Sequence, residues 1–267
     1  MSEASQNSKT WTGDRPRGGP PLSTILQSSE HRGVPAPKGD PRPQPCEDGG
    51  RGADRTPREI NFYGYDFIVT KDVLTPRPET EAIIDEVLKL CGKPILPGVK
   101  PYKAQLDPDN LTILDVGTGS GCIAITLKKK LKNARVYASD ISKKALKIAQ
   151  KNAKRHNTPI NFILSYLCQN VNITPDIIVA NLPYLDKNWD WLDRKSLKQD
   201  PDLALYAEDG GLQLIKELIR ESNSKYLILE ADPSEHQDIS KFSSYKYQLI
   251  SINGFVLVFE LKKWTDS

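Results

Sequence analysis

Histidine, cysteine and long apolar runs are all scarce in this chain, and each scarcity narrows the chemistry. With only three histidines there is no evident Ser-His-Asp or Cys-His arrangement for nucleophilic catalysis. The four cysteines, Cys46, Cys91, Cys122 and Cys168, are scattered without C-x-x-C spacing, which argues against a zinc knuckle or a disulfide framework and for reduced thiols in a cytosolic compartment. No run approaches the roughly 18 to 20 apolar residues of a membrane span, and the N-terminus lacks the apolar stretch of a signal peptide. Charge of neither sign dominates: a formal net charge of +3 demands neither a nucleic acid nor a membrane as partner. These absences lead us to expect a cytoplasmic monomer that does not engage a membrane and does not bind nucleic acid directly.

What is present falls into three stretches. A length of 267 residues accommodates one full domain and something smaller. Residues 1 to 57 are dominated by Pro, Gly, Ser and Arg, as in P-R-P-Q-P and G-G-R-G. They show no period of strand or helix, and are expected to be a disordered low-complexity segment. Its acids Glu30, Asp40, Glu47, Asp48 and Asp54 dilute the arginines. That favours an inert tail over a basic arm or an organelle-targeting peptide.

Residues 58 to 110 read as a short hairpin around Gly64 in I-N-F-Y-G-Y-D-F-I-V-T, the segment L-T-P-R-P-E-T-E, and a helix. Ile83, Ile84, Val87, Leu88 and Leu90 give that helix one apolar face. Pro78 marks its start, with Glu79 and Glu81 in the first turn where the macrodipole favours acids. A Pro-rich loop follows over roughly 92 to 110.

From 111 to 267 strand and helix alternate. L-T-I-L-D-V, A-R-V-Y-A-S, I-N-F-I-L, P-D-I-I-V-A and K-Y-L-I-L-E are the expected strands, with helices after the first, second and fourth. Such units imply a parallel sheet covered on both faces. The Asn253-Gly254 pair between two apolar runs signals a terminal antiparallel hairpin. The fold class expected is therefore α/β: a seven-stranded Rossmann-like sheet ending in an antiparallel hairpin and preceded by a short β-hairpin and helix.

D-V-G-T-G-S-G at 115 to 121 joins the first strand of this sheet to its helix. Gly117, Gly119 and Gly121 let the backbone turn sharply and approach a ligand. A glycine loop serves NAD, phosphates and S-adenosylmethionine alike. Here the spacing is G-x-G-x-G with Asp115 in front, and a carboxylate so placed repels a pyrophosphate but suits the cationic amino acid moiety of S-adenosylmethionine. Asp140, about twenty residues further on at the end of the second strand, is placed to accept ribose hydroxyls; it would equally serve as an N-terminal charge on the helix that starts near Ser142. Tyr166, after the third strand, either stacks on a base or packs. His156, past a basic helix end, reads as a C-terminal cap residue.

The fourth strand ends in A-N-L-P-Y. The Asn181 side chain and the Leu182 backbone supply two carbonyl acceptors, enough to hold both hydrogens of a planar NH2 group and aim its lone pair at a sulfonium methyl. The same acceptors stabilise charge that grows on nitrogen during transfer, so no strong base is required. Pro183 fixes the loop direction, and Tyr184 is expected to cover the acceptor or the sulfonium.

L-T-P-R-P-E-T-E, D-V-G-T-G-S-G-C-I-A-I-T-L, A-S-D-I-S-x-x-A-L-x-I-A-x-x-N-A, N-L-P-Y and D-P-D-L-A-L-Y-A-E-D-G-G-L together resemble the release-factor glutamine methyltransferases, the HemK/PrmC family, from about Asn61 to the C-terminus. The resemblance implies a seven-stranded methyltransferase fold over residues 111 to 267 and S-adenosylmethionine as donor. It implies N5 methylation of the glutamine in the Gly-Gly-Gln loop of peptide chain release factors, in the service of translation termination. Carried onto this sequence, it implies cofactor contacts at Asp115, Gly117, Thr118, Gly119, Gly121, Asp140, Ile141, Tyr166 and Asn181. Asn181, Leu182, Pro183 and Tyr184 become the catalytic loop, and Arg77, Pro78, Glu79 and Thr80 join Asn181 and Tyr184 in binding substrate; no metal is implied. Trp189 and Trp191 are candidate docking anchors. Leu182 stands where the family usually has Pro and Tyr166 where an acid is common. The low-complexity segment stands where the family has a helical substrate-binding domain. Other readings of the same residues are a ribosomal-protein glutamine methyltransferase, a nucleic-acid adenine N6-methyltransferase, and a protein that binds S-adenosylmethionine without turnover.

Overall fold

The hairpin around Gly64 forms because Tyr63 and Gly64 both take up left-handed backbone, with φ of 52° and 80°. A two-residue turn that matches the twist of its strands requires this. It joins β1 (Arg58–Phe62) to β2 (Tyr65–Val69). The structure, a computed structural model, describes residues 57–93, 95, 106–190, 192 and 194–262. The low-complexity segment up to residue 56, much of the Pro-rich loop and Trp191 lie outside the described residues. After the hairpin, Pro78–Thr80 makes one 3-10 turn that runs directly into α1 (Glu81–Leu90). Ile83, Ile84, Val87, Leu88 and Leu90 are all buried, the face that their spacing predicts.

The main sheet is built from β3 (Thr112–Val116), β4 (Arg135–Asp140), β5 (Asn161–Leu164), β6 (Ile177–Ala180), β7 (Tyr226–Glu230), β8 (Tyr247–Asn253) and β9 (Val256–Leu261). Their order is β5-β4-β3-β6-β7-β9-β8. The strands from β3 to β7 pair in parallel, while β9 runs antiparallel to both β7 and β8. Every residue of β3, β6 and β7 is buried, and for that reason these strands read as continuous apolar runs. Gly254, with φ of 59°, begins the two-residue link between β8 and β9.

Successive residues of the central strands feed opposite faces. Ile113, Val179 and Ile228 pack with Ile84 and Val87 of α1 and with Ile123 and Leu127 of α2 (Cys122–Lys130). Leu114, Ile178 and Leu227 pack instead with Ile215 and Leu218 of α4 (Gln213–Glu221) and Ile239 of α5 (His236–Ser243). Helix α3 (Lys143–Arg155) starts on Ser142, whose hydroxyl accepts from the Ala145 N–H, and is capped at its end by His156, as the sequence suggested. Helix α5 is an addition to the sequence reading. Among the described residues no helix is long and apolar enough to cross a membrane.

In this order β3 lies between β4 and β6, so the chain leaves β3 and β6 toward opposite sides and opens a crevice at their carboxyl ends. One buried side chain ties the N-terminal hairpin to that crevice. The Asn152 amide oxygen of α3 accepts from the Ile68 N–H at 2.8 Å, and its nitrogen donates to the Ile68 carbonyl at 2.9 Å and to the Ser120 carbonyl at 2.8 Å. Replacing Asn152 by Ala strands these buried backbone groups. We expect a loss of about 2 to 4 kcal/mol in urea unfolding; a change below about 0.5 kcal/mol would show that the amide is not a structural link.

Candidate active site

Gly117, Gly119 and Gly121 all have positive φ, 73°, 55° and 83°. At Gly121 a Cβ would meet the Ala149 Cβ of α3 at 3.1 Å, so close packing of α2 on α3 demands glycine as much as the dihedral does. Two acids hold the turn. Asp115 is completely buried: Oδ2 accepts from the Thr118 hydroxyl at 2.6 Å and from the Ala124 N–H at 3.2 Å. Its Oδ1 has no partner among the described residues, and burial pushes its carboxyl up to about 7. Asp140 is 9% exposed; its two oxygens accept from the Gly119 N–H at 2.9 Å and the Ser142 N–H at 2.8 Å. Burial raises this carboxyl as well. Asp140 therefore links the glycine turn to the start of α3, the helix-start role weighed from the sequence, while still facing the crevice.

The crevice is a cavity of about 340 Å³. It is lined by Gly117, Thr118 and Gly119, by Asp140 and Ile141 after β4, by Tyr166 after β5, and by Asn181, Leu182 and Pro183 after β6. The structure thus brings most of the expected cofactor residues onto one surface with the Asn-Leu-Pro loop. Asp115 and Gly121 are outside that lining; they brace the turn from below. The Tyr166 hydroxyl donates to Glu217 Oε2 of α4 at 2.5 Å, a bond that pushes the phenol up to about 12 and fixes the ring as a wall.

Leu182, in the place of a proline, is 5% exposed. Its Cδ2 would lie 3.0 Å from a Cβ on Gly117. Packing against the glycine turn holds the loop where a ring would otherwise stiffen it. The Asn181 amide nitrogen donates to Thr80 Oγ1 at 3.0 Å. The nitrogen end of this amide is thereby engaged with the protein, and the oxygen end is left for a ligand. Tyr184 does not line the cavity. Its hydroxyl donates to Glu230 Oε1 at 3.2 Å, and burial raises its phenol well above the ordinary value. It backs the loop where the sequence suggested a cover for the acceptor. Gly211 packs so close behind that a Cβ there would fall 2.1 Å from the Tyr184 carbonyl oxygen.

Of the segment expected to bind substrate, Thr80 lines the cavity, and Arg77, Pro78 and Glu79 do not. Arg77 Nη2 donates to Asp200 Oδ2 at 2.6 Å, and Thr75 donates to Asp200 Oδ1 through its N–H at 2.8 Å and its hydroxyl at 2.7 Å. The Asp200 side chain is 1% exposed. The partner found is a buried acid 123 positions away. Trp189 is half-buried and away from the lining. Sequence reasoning missed Asp200, Glu217 and Glu230, and also Leu203, which is 64% exposed at the cavity.

This sheet, with its antiparallel final hairpin and its glycine turn after β3, defines an α/β protein with a seven-stranded Rossmann-like sheet. Residues 102–193 match the family model described as the methyltransferase small domain. The chain is similar to the release factor glutamine methyltransferase of Flavobacterium psychrophilum, 40% identical over 174 residues that cover 63% of this chain and 56% of that protein. It is similar to the release factor glutamine methyltransferase of Enterococcus faecalis, 37% identical over 177 residues that cover 65% and 57%. The chain spans about half the length of the curated relatives it matches. A solved ribosomal protein L11 methylase from Lactobacillus delbrueckii subsp. bulgaricus superposes with a TM-score of 0.48 at 20% identity, covering 72% of this chain and 81% of that one.

Three buried acids in and behind the site give stability a definite pH dependence. Burial pushes Asp115 and Glu230 up to about 7 and Glu235 to about 8. An acid whose folded pKa exceeds its unfolded value keeps its proton while the unfolded chain releases one, so stability is lost as pH rises between the two values. His156, lowered by burial, acts in the opposite sense, and Asp140, raised by burial, adds to the effect of the three acids. The melting temperature should fall by several degrees between about pH 5 and about pH 9. A melting temperature that climbs steadily over that range would contradict this account of the site.

Proposed function

We propose that this protein transfers a methyl group from S-adenosylmethionine to the side-chain amide nitrogen, N5, of the glutamine in the Gly-Gly-Gln loop of a peptide chain release factor, in the cytoplasm. The observation that carries the reading is that Asn181, its amide nitrogen held by Thr80, opens onto the same cavity as the glycine turn. The cavity suits the cofactor. Asp140 offers carboxylate oxygens with unused lone pairs to ribose hydroxyls. The glycine turn permits close approach of the amino acid moiety, and Tyr166 gives the base an anchored aromatic wall.

S-adenosylmethionine, when bound, supplies an electrophilic methyl on a sulfonium. The chain's own residues supply position. Asn181 Oδ1 and the Leu182 carbonyl accept the two N–H bonds of the substrate amide and hold its lone pair toward the cofactor side of the cavity. As positive charge develops on that nitrogen, the same two acceptors stabilise it and the proton becomes acidic enough to leave to water. Pro183 stiffens the loop and Tyr184 buttresses it from behind. Exposed Ile141 and Leu203, 52% and 64% accessible, form an apolar rim for the loop that carries the acceptor.

Incubation with labelled S-adenosylmethionine and a release factor, intact or with its loop Gln replaced by Ala, tests this directly. Label should appear only on the intact factor. Asn181→Ala should lower kcat about 100-fold or more, with cofactor affinity within about threefold. Equal labelling of both factors, or labelling of nucleic acid in place of protein, would sink the assignment.

A further inference from the structure

A net charge of +3 gives no reason to expect a polyanionic partner, but the charge is not spread evenly. Residues 122–156 hold 11 of the 37 Lys and Arg residues and only 1 of the 34 Asp and Glu. That one acid, Asp140, is buried. Within this stretch α3, K-K-A-L-K-I-A-Q-K-N-A-K-R, carries six cations and no acid. At 3.6 residues per turn all six fall within an arc of about 120°. Two of them, at one side of the arc, meet acids of the N-terminal region: Lys144 Nζ lies 3.7 Å from Asp72 Oδ1, and Arg155 donates to Glu59 Oε1 at 2.7 Å and to Oε2 at 3.1 Å. Lys143, Lys147, Lys151 and Lys154 are exposed and make no ion pair among the described residues. We infer that these four lysines form a docking surface for the phosphate backbone of RNA.

The arrangement works against the helix's own stability. Lys143 and Lys147, Lys147 and Lys151, and Lys151 and Lys154 are like charges three or four positions apart, which repel on a helix surface. Lys143 and Lys144 also occupy the first turn, where the macrodipole disfavours cations. A pattern that local rules oppose and no contact within the chain offsets marks a functional constraint. Four cations set along a line of about 16 Å suit successive phosphates. They do not suit a folded protein partner, because such interfaces are depleted in lysine and centre on apolar and aromatic anchors. The other residue exposed among these lysines is Gln150, and Ile148 is half-buried and packs toward Val69, Val73 and Ala145. Helix α3 begins at the cavity mouth, with Ser142 and Ala145 in the lining, so the lysine line leads away from the cavity and leaves it open. The surface is argued from charge alone; the choice of RNA over DNA rests on the proposed substrate, a factor that works in translation.

Fluorescence anisotropy of the full chain with a labelled single-stranded RNA of about 15 nucleotides tests this. Binding should be micromolar in about 50 mM KCl and weaken several tens of fold by about 200 mM, the salt slope of about four phosphate contacts. Lys147→Gln, Lys151→Gln and Lys154→Gln together should weaken binding about tenfold or more and lower that slope by about 2. Lys198→Gln, Lys225→Gln and Lys241→Gln, at three lysines exposed elsewhere, make the same change in net charge and should leave affinity within about threefold. Equal loss in the two triple variants, or unchanged binding in the first, overturns the inference. Displacement of the RNA by poly-L-glutamate as effective as that by unlabelled RNA of equal charge overturns it too and assigns the face to an acidic protein. A DNA strand of the same sequence that binds more than about tenfold tighter than the RNA overturns the choice of RNA. A wild type that binds RNA yet leaves the release factor unlabelled keeps the surface and loses the proposed activity; one that labels the factor and binds no RNA does the reverse.

Discussion

The functional end of the sheet depends on how the glycine turn after β3 is held. A turn with three left-handed glycines gains little from its own side chains, so neighbouring elements must order it. Asp115 takes the Thr118 hydroxyl and the Ala124 N–H, Asp140 takes the Gly119 N–H, and Asn152 takes the Ser120 carbonyl. The Ser139 carbonyl accepts from both Gly117 and Thr118 at 2.9 Å. Asp115, Thr118, Ser120, Ser139 and Asn152 are buried, where each unmade bond costs more than the bond itself contributes. The turn therefore has one conformation, and the cavity it borders has one shape.

The corner of the cavity that holds Asn181 is assembled on that turn from segments far apart in the chain. Leu182 packs onto Gly117, which registers the Asn-Leu-Pro-Tyr loop against the turn. Asp200 gathers Thr75 and Arg77 and thereby anchors the strip that delivers Thr80 to Asn181. Arg77 of the R-P-E-T-E motif accordingly shapes the site from outside it, and Thr80 is the member that reaches the cavity. Gly211, pressed against the Tyr184 carbonyl, supports the loop from the other side.

Much of this was legible in the sequence, for identifiable reasons. Strands buried on both faces read as apolar runs, and the glycines, Asp140 and Asn181 announce themselves because each sits at a strand end next to its own signal. Helix α5 escaped because H-Q-D-I-S-K-F-S buries only Ile239 and Ser243, too few positions to show a period. Asn152, Asp200 and Glu230 escaped for another reason. Their partners lie 84, 125 and 46 positions away, and local patterns carry no information about contacts made only by the folded chain. Asp115 was read as a ligand contact and turned out to lie beneath the turn, since a residue facing inward from β3 has nowhere else to go. Tyr184 and Arg77 show the same limit: residue type indicated that they matter, and only topology shows what they touch.

The central claim is that the glycine-lined cavity places the sulfonium methyl beside the Asn181 amide. The most direct measurement uses the protein with S-adenosylmethionine carrying a ¹³C methyl, and records nuclear Overhauser contacts from that methyl. Contacts to the side chains of Asn181 and Thr80 are the result the account predicts. A bound methyl that touches only the wall formed by Tyr166 and Ile141, with none to Asn181 or Thr80, would contradict it.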